Sequence, residues 1–192
     1  MEKTRLELFS DAVIAIIITI MVLEMKAPHG AEWTNVLPLL PKFISYVLSF
    51  LFIAIYWVNH HHLLHTVKNA TPAIMWANIN LLFWLSLVPF ATAFMGENHF
   101  EKQTVVVYSI LALLCGLAFN LLQTAIVKDH KRTKNLEEII KPKGWKSLGS
   151  VILYALAIPI ALFISAAVAG AIFFLVAMIW LIPDRKDRKS VV

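Results

Sequence analysis

Six apolar runs, at about residues 6 to 26, 42 to 65, 72 to 95, 103 to 128, 147 to 164 and 167 to 183, occupy most of a 192-residue chain and leave only short polar connectors between them. A helix crossing a hydrocarbon core of about 30 Å needs roughly twenty residues. Inside lipid no water is available to the backbone, so each run must satisfy its own N–H and C=O groups as helix. The expected fold is therefore all-α: a polytopic membrane protein with six transmembrane helices in one domain covering residues 1–192. At 59% hydrophobic and 15% charged, the composition is too apolar for a soluble domain. The last two runs are short and meet at Ser165-Ala-Ala, which predicts a tight helical hairpin.

Charge supplies the orientation. With six spans, one side of the membrane carries Lys3, Arg5, Lys68, Lys128, Lys131, Arg132, Lys134, Lys141, Lys143, Lys146, Arg185, Lys186, Arg188 and Lys189, and the other only Lys26, Lys42 and Lys102. The positive-inside rule then places both termini in the cytoplasm. It also accounts for the net charge of +5 without a nucleic-acid partner. The first run starts close to Met1 among Glu2, Glu7 and Asp11 and lacks a small-residue cleavage site, so it is expected to stay in the mature protein. Cys115, the single cysteine, excludes an intramolecular disulfide.

The first run carries an unusual mixture of charge and apolar bulk. Its uncharged part, Ala12 to Leu23, spans twelve residues, so a crossing helix must begin earlier. Asp11 then lies within or at the edge of the membrane, where an ionisable group implies a function and a partner. Capping by Ser10 or Asp11 is the alternative, but it leaves too short a span. At about 100° per residue, Ala12, Ile16, Ile20 and Leu23 share one stripe, with Thr19 at its edge and Arg5 on the same side. Asp11 points nearly the opposite way, and Ser10 lies well off the stripe. Such a stripe can meet lipid, another helix, or its own copy about a symmetry axis.

The second run ends in His60, His61, His62 and His65. His61 and His65 share a face, yet a zinc site needs three or four converging ligands, and neither a cysteine pair nor Glu-x-x-His is present. Hydrogen bonding to neighbouring helices is the expected role, with no metal. The third run holds Asn78 and Asn80, residues that bond across helices in lipid, and Pro89, which should kink it. Residues 128 to 146 read as a charged cytoplasmic loop with a short helix. There is no nucleophile with an adjacent base and no phosphate-binding lysine loop, so no catalytic residue and no cofactor are expected.

The spacing Arg5-x-x-x-Phe9-Ser10-Asp11 at the start of the first helix resembles the signature of the endosomal and lysosomal transmembrane potassium channel family. Trp57-x-x-His60-His61, Asn80-Leu-Leu-Phe and Ser86-Leu-Val-Pro89-Phe90 extend the resemblance over the first half of the chain. It implies a homotetramer in the cell membrane, one six-helix unit per chain, with the first helix lining a central pore for potassium. The chain has no Thr-Val-Gly-Tyr-Gly filter. Ile16, Ile20 and Leu23 would form stacked apolar rings, and Thr19 would discriminate among cations. Arg5, Phe9, Ser10, Asp11, Trp57, His60, His61 and Asn80 would make up the motif and the packing network that fastens this helix. The rival is a proton- or metal-coupled secondary transporter using the histidine cluster and Asp11 as a relay. Such proteins tend to break helices at matching places in two halves, and Pro89 and Pro159 do not form a convincing pair.

Overall fold

A computed structural model describes residues 3–67, 69–130 and 137–181, with backbone alone for 130 and 137–145. Residues 1 and 2, Lys68, residues 131–136 and everything beyond Leu181 lie outside it, and with them much of the basic side and the end of the last run. Among the described residues the chain is all helical: α1 (Lys3–Leu23), α2 (Trp33–Val36), a 3-10 turn (Leu37–Leu39), α3 (Leu40–His65), α4 (Pro72–Ser86), α5 (Val88–Glu97), α6 (Lys102–His130), α7 (Glu137–Phe163) and α8 (Ala166–Leu181). By length and composition, five segments can cross a membrane: α1, Trp33–His65, Pro72–Glu97, Lys102–Asp129 and Lys146–Phe163. The sixteen residues of α8 rise about 24 Å at 1.5 Å each.

The third run is two helices. Pro89 has no N–H to donate to Leu85, and its ring crowds that carbonyl. The helix stops at Ser86 and restarts at Val88, with Leu87 between them and Pro89 in the first turn of α5. Between α6 and α7, the loop expected over 128 to 146 is far shorter. The α6 helix runs to His130 and α7 starts at Glu137, so its backbone is helical through Pro142 and Gly144. The final hairpin turns on Ile164 and Ser165, whose N–H groups both reach the Ile160 carbonyl at 2.9 Å.

α1 packs against α3, α4 and α5; α6 bridges α4, α5 and α7; and α8 closes on α7 and α3. Since lipid tails are as apolar as leucine, close packing and interhelical hydrogen bonds hold such a bundle together rather than water exclusion. Gly96 allows one of the closest approaches: a Cβ there would lie 2.8 Å from the Lys42 Cα, so α5 can sit against α3 only without a side chain. Ile53, Ile74, Leu81, Leu85, Met95 and Leu122 are wholly enclosed. Trp33 and Trp76, 80% and 71% exposed, sit near opposite ends of the bundle, as interfacial tryptophans do.

Candidate functional site

Two opposed faces define α1. Leu6, Ser10, Ile14, Ile17 and Met21 are buried, a stripe at i, i+4, i+8, i+11 and i+15 that faces its own bundle. On the far side Ile16, Ile20 and Leu23 are 56%, 41% and 75% exposed, and Ala12 and Thr19 are exposed with them. The Thr19 hydroxyl donates to the Ile16 carbonyl at 2.8 Å. Its proton is thereby committed, and what it presents outward is the acceptor side of the oxygen.

The buried face is held by a polar clasp. Ser10 Oγ donates to the Leu6 carbonyl at 2.8 Å and accepts from Asn78 Nδ2 at 2.9 Å. Asn78 Oδ1 lies 2.6 Å from His60 Nε2. Because the Asn78 amide nitrogen is already spent on Ser10, its oxygen must accept, so His60 carries its proton on Nε2. Ser10, Asn78 and His60 are all buried, and the three residues link α1, α4 and α3. At the edge of this clasp, Trp57 Nε1 donates to Asp11 Oδ1 at 3.0 Å. This gives the carboxylate the partner that its position requires. Lys3 Nζ reaches the His65 carbonyl at 2.9 Å and Glu7 at 3.5 Å, tying the start of α1 to the end of α3.

Two of the residues expected to fasten α1, Asn80 and His61, stand outside the clasp. Asn80 is half-buried and lines an open cleft of about 690 Å³ between α4 and α6. The asparagine that meets α1 is Asn78, about 200° away around the helix. Arg5 and Phe9 are exposed on the far side of α1, displaced by helical rotation from Ser10. His61 follows His60 by a further 100° and is exposed, its ring 6.3 Å from Trp57 and 6.2 Å from His65. No group of three or more potential metal ligands occurs among the described residues.

A second polar junction was not read from the sequence. Thr92 Oγ1 lies 2.7 Å from both Ser49 Oγ and the Val88 carbonyl, Ser49 Oγ is 2.9 Å from the Tyr108 hydroxyl, and Ser45 Oγ donates to the Thr92 carbonyl at 2.7 Å. It joins α3, α5 and α6. The available signal was Ser45-x-x-x-Ser49, small polar residues at the spacing that lets membrane helices approach.

Residues 5–89 match the family described as Endosomal/lysosomal potassium channel TMEM175. A potassium channel of Chryseobacterium sp. (strain P1-3) is 46% identical over 190 residues, 99% of this chain and 98% of that protein. The endosomal/lysosomal proton channel TMEM175 of Gallus gallus is 26% identical over 148 residues, 68% of this chain and 30% of that protein. Among solved structures, the crystal structure of a lysosomal potassium-selective channel TMEM175 homolog from Chamaesiphon minutus superposes with a TM-score of 0.79 at 29% identity, covering 93% of this chain and 96% of that one. The chain is thus a multi-pass, all-helical membrane protein, and it belongs to the TMEM175 channel family.

Proposed function

We propose that the chain forms, as a homotetramer in the cell membrane, a potassium-selective channel whose central pore is lined by α1. Residues 1–192 act as a single six-helix domain with both termini in the cytoplasm. The observation that carries this reading is the outward stripe of α1, in a chain whose relative of nearly equal length is named a potassium channel. Ile16, Ile20 and Leu23 stay exposed in the single subunit while the opposite face is clasped. Four copies turned inward would stack these side chains as rings about 6 Å and 4.5 Å apart along the axis.

Narrow apolar rings close a pore by dewetting, and a modest tilt or rotation of α1 opens it. Thr19 stands between the first two rings with its acceptor lone pairs outward, the chemistry that can replace water around a cation. Glu24, exposed just beyond Leu23, attracts cations to that mouth. Ser10, Asn78 and His60, with Trp57 on Asp11, hold α1 against its bundle so that the stripe keeps its orientation.

The test is potassium flux from liposomes containing the purified protein, with sodium and proton gradients dissipated in parallel. Passive potassium flux is expected. Ile16→Ala and Leu23→Ala should each raise the resting leak, and an unchanged leak would remove the apolar gate. Thr19→Ala should shift the reversal potential toward sodium, so an unshifted value would acquit the hydroxyl. Since the avian relative is named a proton channel, proton flux is measured as a separate arm. Potassium movement that depends on proton movement would replace the channel reading with coupled transport.

A further inference from the structure

On the side of the bundle away from α1, a cavity of about 30 Å³ lies between α3, α6, α7 and α8. Phe52, Tyr56, Phe119, Tyr154 and Phe173 wall it, in tilted and edge-on pairs with centroids 4.8 Å (Phe52–Tyr56), 5.7 Å (Tyr56–Phe119) and 6.0 Å (Tyr154–Phe173) apart. Among the described residues no charged side chain lines it. Most of the polar groups on the wall are committed. Trp180 Nε1 donates to Ser150 Oγ at 2.8 Å, Ser150 to the Lys146 carbonyl at 2.8 Å, and Ser147 to Asn120 Oδ1 at 3.0 Å. The Tyr108 hydroxyl is engaged by Ser49.

Two phenols remain. Neither the Tyr56 nor the Tyr154 hydroxyl has a hydrogen-bond partner among the described residues, although Tyr154 is only 4% exposed. Among the described residues no enclosed side-chain oxygen or nitrogen lacks a partner, so the Tyr154 hydroxyl faces free space, and the cavity is what Tyr154 lines. The rim includes Leu48, Ile55 and Trp180, all half-buried, at the seam of α3 and α8.

We infer that this cavity binds the hydroxyl head of a small uncharged amphiphile, an aliphatic alcohol whose tail leaves between α3 and α8 into the bilayer. A hydroxyl both donates and accepts, so one head group satisfies two phenols. A carboxylate or ammonium head is disfavoured because no counter-charge offsets its desolvation. The cavity of about 30 Å³ suits a group about the size of one or two water molecules. Water, which needs two to four polar partners, finds them here as well. An alcohol uses the same groups and also gains apolar contact along the aromatic wall. The site goes beyond the conduction reading and does not depend on it.

The test uses the purified full-length protein in lipid nanodiscs, labelled by an octanol analogue that carries a photoactivatable diazirine and competed with 1-hexanol. Labelling is read by mass spectrometry on the α8 segment from Phe173 to Trp180. The expected result is saturable labelling there that 1-hexanol suppresses. Tyr154→Phe should weaken apparent affinity about five-fold, the loss of one neutral hydrogen bond. Ala177→Leu, which fills the cavity from a buried wall position, should abolish the competable fraction. Should Ala177→Leu fail to fold, Tyr154→Phe decides. Labelling that is unsaturable and spread over the lipid-facing residues, or equal in wild type and Tyr154→Phe, would overturn the proposal and leave the cavity to water.

Discussion

Asn78→Leu should cost far more than Asn80→Leu, although the two residues are neighbours on one helix and identical in type. Leucine keeps asparagine's branching at Cγ and its number of side-chain heavy atoms and suits lipid, so the main loss is of hydrogen bonds. At position 78 two interhelical bonds vanish, one to Ser10 at 2.9 Å and one to His60 at 2.6 Å. Measured cycles in membrane proteins place such bonds at about 0.6 kcal/mol each and at most about 1.7, giving roughly 1 to 3 kcal/mol for the pair. Ser10 keeps its bond to the Leu6 carbonyl and suffers little more. His60, at 1% exposure, is left with a buried N–H and no acceptor, a further penalty of about 1 to 3 kcal/mol. The total is about 2 to 6 kcal/mol, against about 0.5 kcal/mol or less for Asn80→Leu, whose side chain takes no part in the clasp and borders an open cleft. Equilibrium unfolding in mixed micelles measures both. Equal destabilisation by the two variants, or a wild-type-like Asn78→Leu, would refute the clasp. Restored stability in Asn78→Leu combined with His60→Leu would trace the cost to the orphaned imidazole.

Two further outcomes test other junctions. Asp11→Ala leaves the Trp57 indole N–H without its acceptor and loosens one edge of α1, so tetramer yield by size-exclusion chromatography with light scattering should fall; wild-type assembly and flux together would remove Asp11 from the fastening. Tyr108→Phe removes one hydroxyl from the Ser49–Thr92 junction while keeping the ring against Phe173, so unfolding should be easier by about 1 kcal/mol with potassium selectivity unchanged.

The order and character of the helices were legible in the sequence, because a bilayer admits few solutions for a chain that is apolar in long runs. The apolar run lengths and the Ser165 hairpin follow from that constraint, as does the interruption at Pro89, whose ring and missing N–H act through covalent geometry alone. The division of α1 was legible too: helical period separates Ile16, Ile20 and Leu23 from Ser10 whatever surrounds them. The length of α7 was not, since Pro142 and Gly144 argue locally for a break.

Which face of α4 meets α1 was decided only by tertiary packing. α4 is apolar nearly all round, so no hydrophobic stripe marks its inner side, and the sequence pointed to Asn80 where packing uses Asn78. In lipid, both faces of a helix see hydrocarbon-like surroundings; the choice falls to shape fit and to which polar groups find partners. Those are properties of three helices brought together, Ser10 on α1, Asn78 on α4 and His60 on α3, and no single segment contains them. The same reason hid the cavity behind Tyr56 and Tyr154, which exists only where α3, α6, α7 and α8 leave space between their aromatic rings.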